Sequence, residues 1–500
     1  MSEIYPFKRS FYYEVEQAIH ESSVTFILGA RRCGKTVCMK QLQDTFSETN
    51  TFDKVVYFDA KREKSTIQKE LFMKQVLASI EAKEKALYLI DETTYLNMPD
   101  TTIMEVQDAF TSFSNENTKI VFTGSQSKAL EYWGHRAFAG DAVFIRPEFL
   151  SYPEWLAWKG ISEISADTYE VFIKGTREFY KNFRSTKEYL QGCLDETINS
   201  NVKSSEMIYG NDCFGLTSEM LLDVLYASLL TLHNHIKYER FVNPNVLQNT
   251  IAHYFSKQVL EIGEENLENR IAELLAERYH NFSHMHTEQL LNALQFLEQC
   301  DFITITPVTD VLEIDPYYQD NLFSGNFKSK SSIMNELNVC IKYPMFYVDI
   351  VKSLLMEHMP EILPTPLLGS IVECHVRGLL PKQGGIEYHS QNDAEIDYVN
   401  PAKKKAIEIT ISNKRIRNTN FDILPEGYYR ILLSNHKKEI SHGIEFVPYY
   451  QFIYDNSVGK DVAYPFTHVP FSPSDENFIV TPAFYGDSII KQDGGIGNCD

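Results

Sequence analysis

One loop constrains this chain more than any other stretch. From Val24 to Leu42 the sequence reads VTFILGARRCGKTVCMKQL. A β-branched apolar run leads into a glycine-flanked loop, and the residues after it have helical spacing, with Met39 and Leu42 on one face. The loop, Gly29-Ala30-Arg31-Arg32-Cys33-Gly34-Lys35-Thr36, is a complete G-x-x-x-x-G-K-T. Its glycines let the backbone wrap closely around phosphates, and loop N–H groups together with a helix N-terminus present positive ends to the anion. Lys35 is expected to reach the β- and γ-phosphates of a nucleotide, and the Thr36 hydroxyl to ligate Mg²⁺. A chance glycine turn would lack the strand before it and the helix after it.

A second element agrees with the first. ALYLIDETTYL is an apolar strand, Ala86–Ile90, that ends in Asp91-Glu92. Asp91 is placed to hold the Mg²⁺ of a bound ATP, usually through water, and Glu92 to orient and polarise the attacking water. Two solvated carboxylates at a strand end are the ordinary alternative. Three more apolar runs, Lys54–Phe58, Lys119–Thr123 and Ala142–Ile145, alternate with helical stretches, so a parallel α/β sheet of five strands is expected. After the fourth strand, Thr123 and Ser125 are candidates to sense the γ-phosphate, with a helix N-cap serine the equal alternative.

Five hundred residues exceed one core, so several domains are expected. The first ten residues lack a signal peptide's apolar centre, and the most apolar stretch, LLDVLYASLLTL from Leu221, is short and carries an aspartate. Eight cysteines without a Cys-x-x-Cys pair argue for a reducing cytoplasm and against a disulfide or zinc framework. With 47 Lys+Arg against 68 Asp+Glu, the net charge of −21 makes broad coating of nucleic acid unfavourable, although a local basic groove can still bind it.

Taken together, these motifs resemble the bacterial and archaeal AAA-type ATPases that join an N-terminal P-loop domain to a C-terminal domain resembling a degenerate restriction-endonuclease fold. GARRCGKT and LYLIDE match the family's phosphate loop and Walker B strand. FTGSQSKAL matches its sensor turn, and PEFLSYPEWL the close of its ATPase domain. YLQGCLDETI at Tyr189–Ile198 is similar to a Y-L-x-G-G-x-P-E stretch, with Cys193 and Asp195 substituted. YPMFYVDIVKSLL places Asp349 at a strand-then-aspartate signature, and GSIVECHV and AEIDYV match the last blocks. One departure concerns oligomeric hydrolysis: Gly140-Asp141 stands where the family has Gly-Arg, a trans-acting arginine. Arg136 and Arg146 are the nearest substitutes, and surface arginines are the alternative for both. Arg31 and Arg32 either lend charge to the phosphates or face a neighbouring domain.

Residues 162–217 read as a polar helical linker or lid. TSEMLLDVLYASLLTLHN and NVLQNTIAHYF then read as amphipathic helices, and His286–Val308 as a helix running into a hairpin strand. That order suggests a winged helix, as the resemblance also implies. Asn281 through Pro307 holds no Lys or Arg, so this module is expected to pack or regulate rather than read DNA, with Leu290, Leu291, Leu294 and Leu297 as core. Further on, Glu373 lies in a helical stretch, and Asp397 and Glu408 lie on two strands joined by an Asn-Pro turn. Helix Glu, strand Asp and strand Glu form the acidic frame of a PD-(D/E)xK nuclease, whose carboxylates hold a metal. The lysine is absent: Thr410 occupies its place, and Lys414 is about 20 Å of strand away from Glu408. Lys403-Lys404-Lys405 and Lys414-Arg415-x-Arg417 are the densest basic stretches, a hint of phosphate contact beside the hairpin.

The expected architecture is therefore a multidomain α/β chain. It has a P-loop AAA-type domain over 1–160, a helical linker or lid over 161–217, a winged-helix-like region over 218–312, a PD-(D/E)xK-like domain over 313–440 and an extension over 441–500. Its expected function is a Mg²⁺-dependent ATPase switch in the cytoplasm controlling the nuclease-like domain, in prokaryotic DNA maintenance or defence. The alternatives are an ATP-licensed, metal-dependent nuclease and a nucleotide-dependent protein scaffold. The expected partners are ATP, nucleic acid at the C-terminal domain, and a protein or a second copy, with no membrane.

Overall fold

The computed structural model describes residues 7–96, 117–124, 127–138, 142–180, 185–199, 215–230, 235–237, 284–310, 336–354, 365–381, 385–390, 394–411 and 420–462. It also describes residues 105, 108–109, 277, 280–281 and 312. Its N-terminal part is a three-layer α/β unit. The strands are β1 (Val24–Leu28), β2 (Lys54–Asp59), β3 (Ala86–Asp91), β4 (Lys119–Gly124) and β5 (Ala142–Ile145), all parallel in the order β2-β3-β4-β1-β5. Strand β1 is buried along its whole length because helices cover both faces, which is why it reads as an unbroken apolar run. On one face α1 (Ser10–Glu21) and α2 (Lys35–Thr49) bring Phe11, Tyr12, Met39 and Leu42 together. On the other, α3 (Thr66–Glu81) and α4 (Ser127–Phe138) bring Phe72, Val76, Leu130 and Phe138. Phe26 of β1 stacks between Phe122 and Phe144 of its two neighbours, at centroid distances of 5.0 and 5.2 Å, and so locks the centre of the sheet.

Helix α5 (Tyr152–Lys159) opens with Ser151 as N-cap and Glu154 completing a capping box, with proline at the first turn. Glu154 does more than cap. It is 0 % exposed and accepts from Arg9 at 2.6 Å and from the backbone and hydroxyl of Ser10, each at 2.8 Å. Burial, the largest influence, would raise its carboxyl, but the Arg9 charge together with the hydrogen bonds from Arg9, Ser151 and Ser10 outweighs it and holds the group below the usual range.

The remainder of the described chain builds a larger core, with a second, smaller cluster on the far face of its sheet. Helices α6 (Ala166–Phe179) and α7 (Thr186–Asn199), expected as a linker or lid, contribute Tyr169, Phe172, Tyr189 and Leu190 to the largest hydrophobic cluster. Asp349 explains their placement. Its carboxylate accepts from the backbone and hydroxyl of Thr186, at 2.7 and 2.6 Å, and from Arg177 at 2.8 Å, so it caps α7 from a distant segment.

Helix α8 (Ser218–Leu230), β6 (His235–Lys237), α9 (Thr287–Gln299), β7 (Ile303–Thr309) and β8 (Glu336–Ile341) follow. Then come α10 (Pro344–Leu354), α11 (Thr365–Leu379), β9 (Ile386–His389), β10 (Glu395–Asn400), β11 (Lys405–Ile409), β12 (Tyr429–Ser434), β13 (Glu439–Ser441), β14 (Ile444–Pro448) and α12 (Tyr449–Asn456). Among the described residues these strands form one mixed sheet of nine, ordered β13-β14-β12-β11-β10-β9-β7-β8-β6.

Two expected boundaries fall inside this sheet. Strand β7 pairs antiparallel with β8, beyond residue 312, and parallel with β9, with Val308 in register with Glu387 and Thr309 with Tyr388. Past residue 441, β14 pairs with β12, and Phe452 and Ile453 of α12 enter the largest cluster. The apolar stretch from Leu221 lies largely in α8, with Leu221, Leu222, Leu225 and Leu229 buried in that core. In α9 Leu290, Leu294 and Leu297 are buried as expected, while Leu291 is half-exposed because Ala293 and Phe296 fill the inward face. Among the described residues no helix is long and apolar enough to cross a membrane, and the described cysteines are free thiols.

Replacing Glu154 by alanine leaves Arg9 buried without its counter-charge. A loss of about 3–5 kcal/mol in unfolding free energy is expected, read as a lowered denaturation midpoint; an unchanged midpoint would contradict the pair's role. A second outcome concerns pH. His375 of α11 is buried, its Nδ1 2.8 Å from the Tyr169 hydroxyl, and burial, helped by Lys342, pushes its pKa down to about 3. The unfolded chain takes up that proton near pH 6.5, so the contribution is complete above about 6.5 and is lost as pH falls toward 3. Melting temperatures of His375→Gln should fall less steeply than those of the parent between pH 7 and 5.

Candidate functional site

The phosphate-binding motif sits between the carboxyl end of β1 and the start of α2. Gly34 takes φ 103° and Arg32 φ 62°, two left-handed residues that turn the backbone back toward the helix. Gly29 is pressed against β5's exit: a Cβ there would stand 2.8 Å from the Pro147 carbonyl oxygen. Lys35 is 6 % exposed, and its ammonium donates to the carbonyls of Gly29 and Ala30, each at 2.8 Å. It therefore already lies across the loop's mouth, bound to groups from which an incoming phosphate oxygen could draw it. Thr36, one residue along, is exposed at the helix N-terminus.

Arg31 lies on α7, and a Cβ at Gly192 would collide with its guanidinium, so the glycine of the YLQGC stretch makes room for a side chain of the loop. Of the two alternatives for Arg31, facing another part of the chain is the observed one. Arg9, which the motif reading missed, donates to the Cys33 carbonyl of the loop and to the Glu148 carbonyl, both at 2.8 Å. No sequence signal marks it, because its partner Glu154 is 145 residues away.

Asp91 closes β3 and is 2 % exposed. Its Oδ1 accepts from the Thr123 hydroxyl and from the Glu92 backbone, and its Oδ2 accepts from the Tyr57 hydroxyl at 2.9 Å. The sheet order explains this arrangement: β3 lies between β2 and β4, so both neighbours can reach the carboxylate. Three of a carboxylate's roughly four acceptor positions are thus used, leaving room for a metal-bound water. Burial and Asp91's charge raise the Tyr57 phenol, keeping it a proton donor. Glu92 follows in a left-handed conformation, φ 53°, half-buried beside the strand end. Thr123 is thus committed to Asp91. Ser125, Gly140 and Asp141, and the side chain of Arg136, lie outside the described residues. Arg146 is half-exposed and paired with Glu131 on the surface.

Of the expected nuclease-like carboxylates, two converge and one does not. Opposite Glu387, β10 carries a bulge: Ile396 pairs with Tyr388 but Val399 pairs with Ile386. The extra residue turns Asp397 and Tyr398 toward α11 together, while Ile396 and Val399 enter the cluster on the other face. There Asp397 lies 3.8 Å from Arg377, which pairs with Glu373 at 3.0 Å and with Glu387 at 2.7 Å. Burial and then Glu373 push the Asp397 carboxyl well up.

Glu408 belongs elsewhere. Strand alternation puts Ile407 on the α11 face and Ala406 on the opposite one, so Glu408 shares the Ala406 face. Its carboxylate accepts from the Asn420 backbone at 3.2 Å. The expected Glu373–Asp397–Glu408 triad is therefore not assembled. Arg377 and Glu387, unremarked in the sequence, hold the cluster instead; an acid between Ile386 and Tyr388 on a short strand was the only available hint. Lys403 and Lys404 are exposed at the β10–β11 turn, and Lys414, Arg415 and Arg417 lie outside the described residues.

Residues 21–156 match the AAA domain family, so this part of the chain is an AAA-type P-loop domain. No curated protein matches the chain. Among solved structures, AMPPCP-bound DnaA from Aquifex aeolicus is similar at 14% identity, with 58% of this chain and 87% of that chain covered and a TM-score of 0.27. Cdc6p from Pyrobaculum aerophilum is similar at 13% identity, covering 71% and 97%, with a TM-score of 0.25.

Thr123→Val and Tyr57→Phe each remove one donor from a buried carboxylate and should each cost about 1–3 kcal/mol of stability. Because both donors serve one group, their effects should not add in a double-mutant cycle. Strict additivity in chemical denaturation would mean that the two hydroxyls act independently of Asp91.

Proposed function

We propose that this chain binds ATP with Mg²⁺ at the β1–α2 loop, hydrolyses it, and uses the nucleotide state as a switch acting on its C-terminal mixed sheet. The observation that carries this reading is the wiring of the loop. Arg9 bonds the Cys33 carbonyl and the buried Glu154, Glu154 bonds Ser151, and the Ser151 hydroxyl donates to the Val458 carbonyl just beyond α12, at 2.7 Å. A change in the loop backbone therefore has a short hydrogen-bonded route to the last described segment of the chain.

In this reading the loop N–H groups of 29–36 and Lys35 hold the phosphates, with Lys35 exchanging its carbonyl partners for phosphate oxygens. Thr36 and Asp91 would hold Mg²⁺, which when bound neutralises charge on the β- and γ-phosphate oxygens. The Thr36 hydroxyl is exposed and the Asp91 carboxylate is oriented from both sides, so the donor set suits that ion. Glu92 polarises the attacking water, and Ser125 after β4 senses the γ-phosphate. Arg31, resting on Gly192, would pass the loop's position to α7.

For the C-terminal sheet we favour a nuclease-like fold kept as a docking surface for nucleic acid or a protein partner, over a cutting enzyme. Supporting this are α11 followed by the antiparallel β9–β10–β11 and the parallel β11–β12, together with the failure of Glu408 to join Glu373 and Asp397. Helices α8 and α9 with β6–β8–β7 fit a winged-helix role in packing. Prokaryotic DNA maintenance or defence is the setting that the resemblance implies.

Lys35→Ala should lower ATP affinity at least about tenfold, and Glu92→Gln should keep affinity while cutting turnover by about 100-fold or more. Fluorescent-nucleotide titration and phosphate release measure the two. Wild-type turnover by Glu92→Gln would remove that residue from the chemistry, and unchanged affinity in Lys35→Ala would remove the loop.

A further inference from the structure

The lysines of the β10–β11 turn serve neither the nucleotide chemistry nor the carboxylates around Arg377. Their backbone is fixed. The Lys403 N–H donates to Asn400 Oδ1 at 3.0 Å, and the Lys404 N–H to the Pro401 carbonyl at 3.2 Å. The Tyr429 N–H donates to the Lys404 carbonyl at 2.7 Å, which pins the turn against the first residue of β12.

Register brings further groups beside it. Strands β11, β12 and β14 run parallel, so their first residues share one rim of the sheet. Lys405 is in register with Tyr429, two residues before the buried Ile407 and Ile431, so both side chains lie on the α11 face. Glu445 is in register with Ile431 and with Ile440 of β13, which puts Ile440 on that face as well. From β11 to β13 is three strand spacings, about 14 Å.

We propose that this rim, formed by Lys403, Lys404, Lys405, Tyr429 and Ile440, binds single-stranded nucleic acid. The inference rests on the reading of the C-terminal sheet as a docking surface and names its occupant.

Charge favours a polyanion. Although the chain carries 68 acidic residues, none of the three lysines makes an ion pair among the described residues. Burial pushes the Lys405 ammonium below its usual range, and Lys403 adds to that against the pull of Glu445. A phosphate beside such crowded cations relieves their repulsion. Glu445 is itself engaged, accepting from the Tyr429 hydroxyl and standing 3.7 Å from Lys438. Strand alternation from Ile440 turns Glu439 to the opposite face.

The exposed apolar groups select an unpaired strand. Tyr429 is 54 % exposed with its hydroxyl held by Glu445, and Ile440 is 77 % exposed. An anchored ring beside lysines is a platform for any base whose face is open. A duplex keeps its bases stacked on one another and would use only the lysines.

The test titrates the full chain, free of nucleotide, into a fluorescein-labelled oligothymidylate and follows anisotropy. The single strand should bind at least about tenfold more tightly than a duplex of equal length. Three phosphate contacts give log affinity a slope of about −2 on log salt. Lys403→Glu with Lys404→Glu should weaken binding at least about tenfold and flatten that slope, whereas Tyr429→Ala should weaken it about fivefold or more and leave the slope unchanged. All three residues are exposed, and circular dichroism checks that the variants fold. Oligonucleotide binding that the variants leave intact overturns the rim but keeps the sheet as a nucleic-acid docking surface; no binding at all overturns both for nucleic acid. Equal or tighter binding of the duplex, or of phosphatidylserine vesicles, overturns the choice of a single strand.

Discussion

Much of this structure hangs on one buried ion pair. Glu154 has no exposure, so without Arg9 its charge would be untenable, and Arg9 is equally sealed from water. Between them they fasten four things that are far apart in sequence: the start of α1, the carbonyl of Cys33 in the phosphate loop, the carbonyl of Glu148 after β5, and the first turn of α5. A pair with so many further hydrogen bonds is worth more for the arrangement it enforces than for its net energy. It makes the phosphate loop's backbone sensitive to the packing of the rest of the molecule, and the reverse.

The same logic of shared carboxylates recurs. Asp91 gathers hydroxyls from the strands on either side, and Asp349 caps a helix that begins 163 residues earlier. Lys342 binds Glu148 at 2.8 Å and Asp301 at 3.0 Å, tying the exit of the AAA-type domain to the mixed sheet. Each of these groups is buried or nearly so, where a lost partner costs far more than on the surface.

Legibility in the sequence differed sharply between the two ends of the chain. The five parallel strands of the AAA-type domain fall within a residue of their expected positions, because each is a short apolar run and the central three are buried along nearly their whole length. In the mixed sheet the strands holding Asp397 and Glu408 were readable, but their faces were not. A single bulge between Ile396 and Val399 brings Tyr398 onto the α11 face beside Asp397, whereas strict alternation from Ile396 would have turned Tyr398 to the opposite side. In the described parts of the regions expected as linker and extension, the polar residues are visible in the sequence, while the apolar stripe that joins the common core has meaning only once its partner is known.

By itself the sequence determined the phosphate loop, the strand ending in Asp91-Glu92 and the order of α and β elements around them, since these depend on residues close together and on local backbone preference. It also marked Gly192 without giving its purpose. Only tertiary structure decided that Arg31 rests on that glycine, that Tyr57 and Thr123 hold Asp91, that Glu154 finds Arg9, and that Arg377 rather than Glu408 joins Glu373 and Asp397. The reason is that these partners lie tens to hundreds of residues apart, and strand order, not spacing along the chain, brings their charges within reach.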